Sequence, residues 1–253
     1  MPKFQNAKNE FSKLMTTIEK RAKDNEQNNL LRLSFADVYV YLDFLEIIAE
    51  RYEALAEEYR QNMSQQKALR EGKTGSWTMS PDELKLYDEG HALFTKLRLE
   101  IESFFLFSHT LLNKATNFPA RYFGHASRRG LECGSHERFW NSIQKIKPFL
   151  PIQGELMNDA EWLTEKVVHY RDKLITHTFS NEHHKRMLIR GMMFSNDGGN
   201  HKISSSVLYP TGDNPEQADS ESIEDLAPHI DQYVVRYIDF LILHSDKSEL
   251  MSQ

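Results

Sequence analysis

The residue types best suited to chemistry lie together in the segment Arg171–His177, which reads Arg-Asp-Lys-Leu-Ile-Thr-His. Histidine exchanges protons near neutral pH, and the planar guanidinium of arginine binds anionic oxygens in pairs. An arginine, a carboxylate and a histidine at this spacing are therefore candidates for proton transfer and anion binding. Whether they can act together depends on the helix that carries them.

That helix is predicted over about 155–178. Its apolar positions alternate between spacings of four and three residues, which is typical of one buried face. They are Leu156, Ala160, Leu163, Val167, Tyr170, Leu174 and His177. A second stripe places Arg171 one turn from Val168 and from Ile175. On an ideal helix Arg171 and His177 are about 120° apart, so they converge only through a bend or a second copy of the helix.

A purely structural interpretation of the same residues stays open. A histidine on an apolar face is most often a packed core or interface residue. An arginine can lay its aliphatic stem on apolar neighbours and send its charged end to water or to a carboxylate. An unrelated helical scaffold in which His177 is simply packed would show the same pattern.

Arg171, Asp172 and His177 resemble the signature of the HEPN superfamily, which is an arginine, a polar residue, a short spacer and a histidine. The surrounding stretch 169–179 is similar to that of HEPN proteins of the abortive-infection and toxin type. The close resemblance is confined to this stretch, and the helical architecture agrees with it more loosely.

The resemblance implies a metal-independent endoribonuclease that acts as a homodimer, with two motifs meeting across the dimer axis. His177 would take the proton from a ribose 2′-hydroxyl, and Arg171 would stabilise the charge that develops on the phosphate. Asp172 would orient one of these two side chains. The products would be a 2′,3′-cyclic phosphate and a 5′-hydroxyl. A role as a toxin or phage-defence component, with an antitoxin or other partner protein, follows from the same resemblance.

Other HEPN proteins bind partners without cutting RNA, so a non-catalytic dimerisation or binding module is the alternative function. For RNA binding we assign Arg128 and Arg129, in a basic stretch close to Tyr122 and Phe123, together with Lys173 of the motif. Basic side chains can contact the phosphate backbone and aromatic rings can stack bases. An exposed loop with ordinary charges explains the arginine pair equally well.

Other chemical sites are disfavoured by the sequence. His183 and His184 are followed at a distance by His201, but no cysteine or carboxylate stands at ligand spacing from them. Gly198-Gly199 fits a hairpin turn and lacks the lysine of a phosphate-binding loop. We therefore predict no metal and no cofactor.

Composition limits the class of protein. The chain has 253 residues, a net charge of −6 and a single cysteine, Cys133, which excludes an internal disulfide. Only 11 glycines and 8 prolines are present, which favours helices over a turn-rich β fold. No secretory leader and no apolar run of about 20 residues is evident, so we expect no membrane contact and a cytoplasmic location.

The pattern predicts an all-α protein with one domain over 1–253, an antiparallel HEPN-like bundle of five to six helices carrying one late β-hairpin. A capping box at Ser34 and Asp37 predicts the start of a long helix whose buried stripe includes Tyr41, and which fades near 72–75. Ser80, with Pro81 and Glu83 after it, predicts the start of a second long helix that Pro119 ends.

Later elements follow the same logic. The predicted order is an irregular loop at 118–134, a helix from about 135 to 146, the motif helix at about 155–178, a β-hairpin at about 185–209, an acidic linker at about 210–221, and a last helix at roughly 223–245 with Pro228 in its first turn.

Overall fold

The computed structural model describes residues 3–21, 26–73, 78–123, 132–143, 150–169, 171, 189–197, 200–209 and 216–248. In this part of the chain the protein is mostly helical. The helical elements are α1 (Gln5–Arg21), α2 (Glu26–Arg70), α3 (Pro81–Ala115), α4 (Asn117–Tyr122), α5 (His136–Ile143), α6 (Gly154–Leu163), a π-helix (Thr164–His169), α7 (Ile223–Leu243) and a short 3₁₀ helix (Ser245–Lys247). The strands are β1 (Ile189–Asp197), β2 (Asn200–Tyr209) and β3 (Glu216–Glu221).

The described residues form two compact units. The first contains those within Met1–Glu46, Phe105–His177 and Glu224–Gln253, and the second contains those within Ile47–Phe104 and Thr178–Ile223. The predicted site residue Arg171 belongs to the first unit, together with α4 to α7.

The two long helices α2 and α3 pair in antiparallel order, as predicted. In the first unit the Phe44 and Phe107 rings lie 5.3 Å apart, and Lys114 donates to Asp37 at 2.8 Å. In the second unit Arg51 pairs with Glu100 at 2.5 Å. Within the first unit, Phe44 comes after Asp37 in α2, whereas its partner Phe107 comes before Lys114 in α3. This reversed order is what an antiparallel pair requires.

The predicted start of α3 is confirmed. The backbone N–H of Ser80 donates to the Glu83 carboxylate at 2.8 Å, and the N–H of Glu83 donates to the Ser80 hydroxyl at 3.2 Å. This reciprocal pair satisfies two N–H groups that a helix start leaves without partners. A hydrogen bond from Lys73, followed by the bond from Ser80, lowers the pKa of Glu83 to about 2.

The predicted start of α2 is wrong. The helix already begins at Glu26, and Ser34 is a buried residue within it. The residues before Ser34 include Leu30, Leu31 and Arg32, which are good helix formers, and a local capping pattern does not stop a helix that can continue through them. Of the predicted buried stripe, Tyr41 is only half-buried beside Phe107, and its neighbour Leu42 is buried instead, whereas Val38 and Leu45 on either side are buried as the spacing predicts.

The apolar residues near the start of α3, Leu84 and Tyr87, are exposed, and the first buried apolar side chain of this helix is Leu97.

The predicted loop at 118–134 is wrong at its start, where helix α4 lies with Pro119 in its first turn. Pro119 cannot continue α3, but a proline is tolerated in the first turn of α4 because the first N–H groups of a helix have no intrahelical acceptor.

Helix α7 buries the apolar face that its sequence predicts, which consists of Ile230, Tyr233, Val234, Tyr237, Ile238 and Leu241. Pro228, however, lies inside the helix beyond its first turn. Near this point the ring Nδ1 of His229 donates to the carbonyl of Asp225 at 2.8 Å.

The described strands form a three-stranded antiparallel sheet in the order β1-β2-β3. Ile189 is opposite Leu208 at one end of the first ladder, and Asp197 is opposite Asn200 at the other. Residues 216–221, predicted as part of an acidic linker, form β3 against β2, with a bulge between Ser206 and Leu208. Polar side chains do not prevent pairing of an outer strand, because the ladder is made by the backbone.

Within the described residues, no helix is both long enough and apolar enough to cross a membrane.

Candidate functional site

Of the predicted catalytic residues, Arg171 is the one that the structure describes. Asp172 and His177 lie outside the described residues, as do the predicted RNA-binding residues Arg128, Arg129 and Lys173. Arg171 is helical and half-buried, and its Nε atom is buried. The mutual geometry of Arg171, Asp172 and His177 therefore stays a prediction.

The helix leading to Arg171 packs into the core of the first unit. Leu156, Ala160, Leu163 and Val167 are all buried, which confirms the first four members of the predicted seam. Val168, predicted on the stripe of Arg171, is buried as well. The last three members of the seam, Tyr170, Leu174 and His177, lie outside the residues whose side chains are described.

The predicted uninterrupted α-helix over 155–178 is wrong in one respect. The α-helix ends at Leu163 and continues as a π-helix over Thr164–His169. A π-helix bonds each N–H to the carbonyl five residues back, so ideal α-helical angles do not hold through it, although Val167 within it is buried as the seam predicts. The face of Arg171 relative to the residues before Thr164 therefore does not follow from an ideal α-helix.

The residue at which the helix changes type is held by a buried histidine. His136, on α5, is fully buried, and its Nδ1 lies 3.1 Å from the Thr164 hydroxyl. Its Nε2 lies 3.1 Å from the hydroxyl of Tyr233 on α7 and 3.1 Å from the indole nitrogen of Trp140. One imidazole thus joins α5, α7 and the start of the π-helix.

The hydrogen-bond directions in this cluster are mutually consistent. The Thr164 hydroxyl donates its hydrogen to the Ala160 carbonyl at 2.8 Å. The hydroxyl oxygen is therefore the acceptor for the N–H at Nδ1 of His136. Nε2 is then an acceptor for the Tyr233 hydroxyl, whose oxygen accepts the Trp140 N–H at 3.1 Å. Every donor has an acceptor, as buried polar groups require.

Burial keeps these groups neutral. It lowers the pKa of His136 to about 3, with a smaller contribution from His109, and it raises the pKa of Tyr233 well above the ordinary value of tyrosine. At neutral pH the His136 imidazole is uncharged, as the donor and acceptor assignment demands. A general acid–base catalyst needs a pKa near the operating pH, so His136 is unsuited to that task.

The N-terminus of α5 is fixed by the end of α3. The backbone N–H of His136 donates to the Asn113 side chain at 2.8 Å, and that of Gly134 donates to the buried Thr116 hydroxyl at 3.0 Å. Gly134 has φ of 84°, a conformation that strongly favours glycine. These bonds place His136 at the start of its helix, where its ring enters the core.

Further contacts hold α6 against α7. Arg236 donates to Asp159 at 2.5 Å and lies 3.2 Å from Glu155. The rings of Trp162 and His229 stack at 4.2 Å. The helix that leads to Arg171 is therefore held by polar contacts before the π-helix starts and again at its first residue.

The sequence analysis did not single out His136. Its spacing of four from Trp140, on a helix face that also carries Phe139 and Ile143, is the local signal of a histidine on a buried face. Its partners Thr164, in the π-helix, and Tyr233, on α7, are far away in the chain, and no local pattern reveals them.

Among the residues that the structure describes, no group of three or more histidine, cysteine, aspartate or glutamate side chains could hold a metal ion. His183 and His184 lie outside that set, and His201 lies in β2. Cys133, the one cysteine of the chain, is exposed.

Comparisons of the chain with protein-family models, with curated proteins and with solved structures returned no match.

Proposed function

We propose that this protein is a metal-independent endoribonuclease of HEPN type that acts as a homodimer, in which Arg171 and His177 are the catalytic residues. The observation that carries the proposal is the Arg171-Asp172 pair followed by His177 in the sequence, together with the packing of 156–168, which precede Arg171, into the core of the first unit. A half-buried, helical Arg171 is compatible with a catalytic arginine whose stem is packed and whose charged end reaches a groove.

In the proposed reaction His177 removes the proton from the ribose 2′-hydroxyl, and the 2′-oxygen bonds to the adjacent phosphorus. The bond from phosphorus to the 5′-oxygen breaks, and that oxygen takes a proton from solvent. Arg171 stabilises the negative charge on the phosphate oxygens, for which its planar fork of donors is suited. Asp172 orients one of these two side chains. Arg128, Arg129 and Lys173 are proposed to bind the RNA backbone.

The test is cleavage of a mixed pool of end-labelled RNAs in EDTA. His177→Ala is compared with wild type and with His91→Ala, which removes an exposed histidine of α3. We expect wild type and His91→Ala to leave 2′,3′-cyclic phosphate ends, and His177→Ala to lose cleavage by a factor of about 100 or more. Cleavage that survives in His177→Ala, or that needs a divalent metal, would contradict the proposal.

The second candidate is a non-catalytic HEPN-like dimerisation module, and a row of exposed apolar side chains on α2 favours it. Leu33, Val40 and Phe44, all in the first unit, are 40% to 63% exposed and are spaced seven and four residues apart. This spacing is typical of a helix that pairs with another helix. The proposed occupant of the row is the α2 helix of a second copy of the chain.

Sedimentation measurements, taken together with the RNA-cleavage assay, distinguish the two candidates. Val40→Glu is expected to dissociate a dimer that forms through this row, whereas Ala92→Glu, at an exposed position of α3, is expected to leave it intact. Dimerisation that depends on Val40, in a protein that leaves RNA uncut, favours the binding module. A Val40→Glu variant that remains dimeric excludes this face as the dimer contact.

A further inference from the structure

The π-helix begins at the residue that the buried imidazole contacts. Thr164 is the first π-helical residue, and its hydroxyl lies 3.1 Å from Nδ1 of His136. π-Helical turns are rare and occur often at functional sites. The coincidence of a rare helix type with a buried side-chain contact from another helix needs a physical explanation.

Thr164 brings a second donor to the last turn of α6. Its backbone N–H bonds to the carbonyls of Ala160 and Glu161, and its hydroxyl donates to the same Ala160 carbonyl at 2.8 Å. Side-chain bonds of this kind compete with the backbone ladder and bend helices. Because His136 donates to the Thr164 oxygen, it holds the hydroxyl in the rotamer that makes this bond.

The helix type that begins at Thr164 affects Arg171, which is seven positions further along the chain. Residues 164–169 are π-helical, and Arg171 itself is helical. In a helix, the direction of a side chain follows from the residues per turn between it and the last fixed point. A change of helix type over 164–169 therefore changes the face on which Arg171 lies.

We propose that His136 and Thr164 are positioning residues, which hold the start of the π-helix and thereby set the direction of Arg171. This inference rests on the proposed function for the catalytic importance of Arg171, whereas the effect on the helix can be measured without RNA. Tyr233 binds the opposite nitrogen of the same imidazole at 3.1 Å, so it stabilises the cluster from the other side of the ring.

The experiment combines amide hydrogen exchange with RNA cleavage on the full chain. Thr164→Val removes the hydroxyl at nearly constant shape, and Thr164→Ser restores it. Thr16→Val is the matched control, because Thr16 makes the same bond to the carbonyl four residues back, at 2.9 Å, on an exposed face of α1. Tyr233→Phe removes one contact of the opposite imidazole nitrogen, which Trp140 also approaches.

Thr164→Val is expected to speed exchange in 164–171 by about fivefold to tenfold, the effect of one lost part-buried hydrogen bond. Exchange in α1 and α7 should stay within about twofold of wild type, and Thr164→Ser should behave like wild type. The kcat of RNA cleavage should fall in Thr164→Val with little change in KM, because binding of the RNA backbone is retained while Arg171 is misdirected.

Several results would overturn the inference. Equal effects of Thr164→Val and Tyr233→Phe throughout the first unit would mean that the cluster contributes stability alone. Unchanged exchange in 164–171, or an unchanged kcat despite faster exchange, would remove the positioning role. If wild type does not cut RNA, the proposed function fails, while the exchange data still decide whether Thr164 holds the π-helix. Should Thr164→Val fail to fold, the same measurements are made on His136→Gln.

Discussion

A carboxylate of α7 caps the N-terminus of α1: Asp231 Oδ1 accepts the backbone N–H of Ala7 at 2.9 Å. The second oxygen of Asp231 accepts from the Asn6 side chain, also at 2.9 Å. Ala7 is the third residue of α1, so its N–H has no acceptor within the helix. An aspartate 224 positions away in the chain thus does what a capping residue normally does locally.

We predict that Asp231→Ala destabilises the first unit by about 1–3 kcal/mol, because Asp231 is buried and its bonds involve a charged acceptor. Urea unfolding measures the free energy. Asp239→Ala, at an exposed position of the same helix, should change it by less than about 0.5 kcal/mol. Equal losses in both variants would show that the cap is not the cause.

A Gly90→Ala substitution should destabilise the second unit. The added Cβ would lie 2.5 Å from Asn62 Oδ1 and 2.6 Å from Gln66 Nε2. Asn62 is buried and donates to the carbonyl of Leu86 at 3.0 Å, so it cannot move freely. Overpacking costs about 1–3 kcal/mol, which exceeds the gain of about 1 kcal/mol in helix propensity.

The matched control is Gly154→Ala, where an added Cβ meets nothing within 4 Å at the start of α6. Thermal unfolding should show a lower Tm for Gly90→Ala and an unchanged or higher Tm for Gly154→Ala. Truncation of Gln66 to alanine in the Gly90→Ala background should recover part of the loss. A Gly90→Ala protein as stable as wild type would refute the close approach of α2 and α3.

Acid should destabilise the first unit through His136. Its pKa is about 3 in the folded protein and about 6.5 in the unfolded chain, so the unfolded state binds the proton at a higher pH than the folded state does. The contribution is complete above pH 6.5 and is lost as the pH falls towards 3, by at most about 1.4 kcal/mol per pH unit. The free energy of unfolding of His136→Gln should fall less steeply over this interval, while exposed His91→Gln should follow wild type. Parallel curves for wild type and His136→Gln would contradict the low pKa.

We predict that the pKa of the Glu83 carboxyl is about 2, below the usual glutamate value. An NMR titration of this carboxyl measures it. A carboxylate with a lowered pKa stabilises the fold above about pH 4.3, and this contribution is lost as the pH falls through the folded value. Lys73→Met should raise the Glu83 pKa, because it removes the largest cause of the shift. Lys85→Met, which removes a lysine 3.9 Å from Glu89, should leave it unchanged.

Features that depend on neighbours in the chain could be predicted from the sequence. The capping box at Ser80 and Glu83 needs four successive residues, and the buried face of α7 needs only the period of an α-helix. The error at Ser34 has the same origin, because a capping pattern identifies a helix start only where the preceding residues are unable to be helical.

Features that depend on distant partners could not be predicted. The cluster at His136 joins residues up to 97 positions apart, and the π-helix begins where that cluster contacts Thr164. Strand β3 is polar except for Ala218 and forms by backbone pairing with β2, so its composition resembles that of a linker. Of the candidate site, the sequence supplies the residue types at 171–177, whereas the contacts that direct the approaching helix are tertiary.

The π-helix also has a consequence for the length of the chain. An i→i+5 turn takes in one residue more than an α-helical turn, so Thr164–His169 behaves as an insertion. In a related chain that lacks one residue within 164–169, the segment would return to an α-helix and the residues that follow would keep their face. A residue lost elsewhere in the helix would instead turn every later residue by about 100° around the helix axis. In a relative, the number of residues between Thr164 and Arg171 therefore indicates whether the π-helical turn is present.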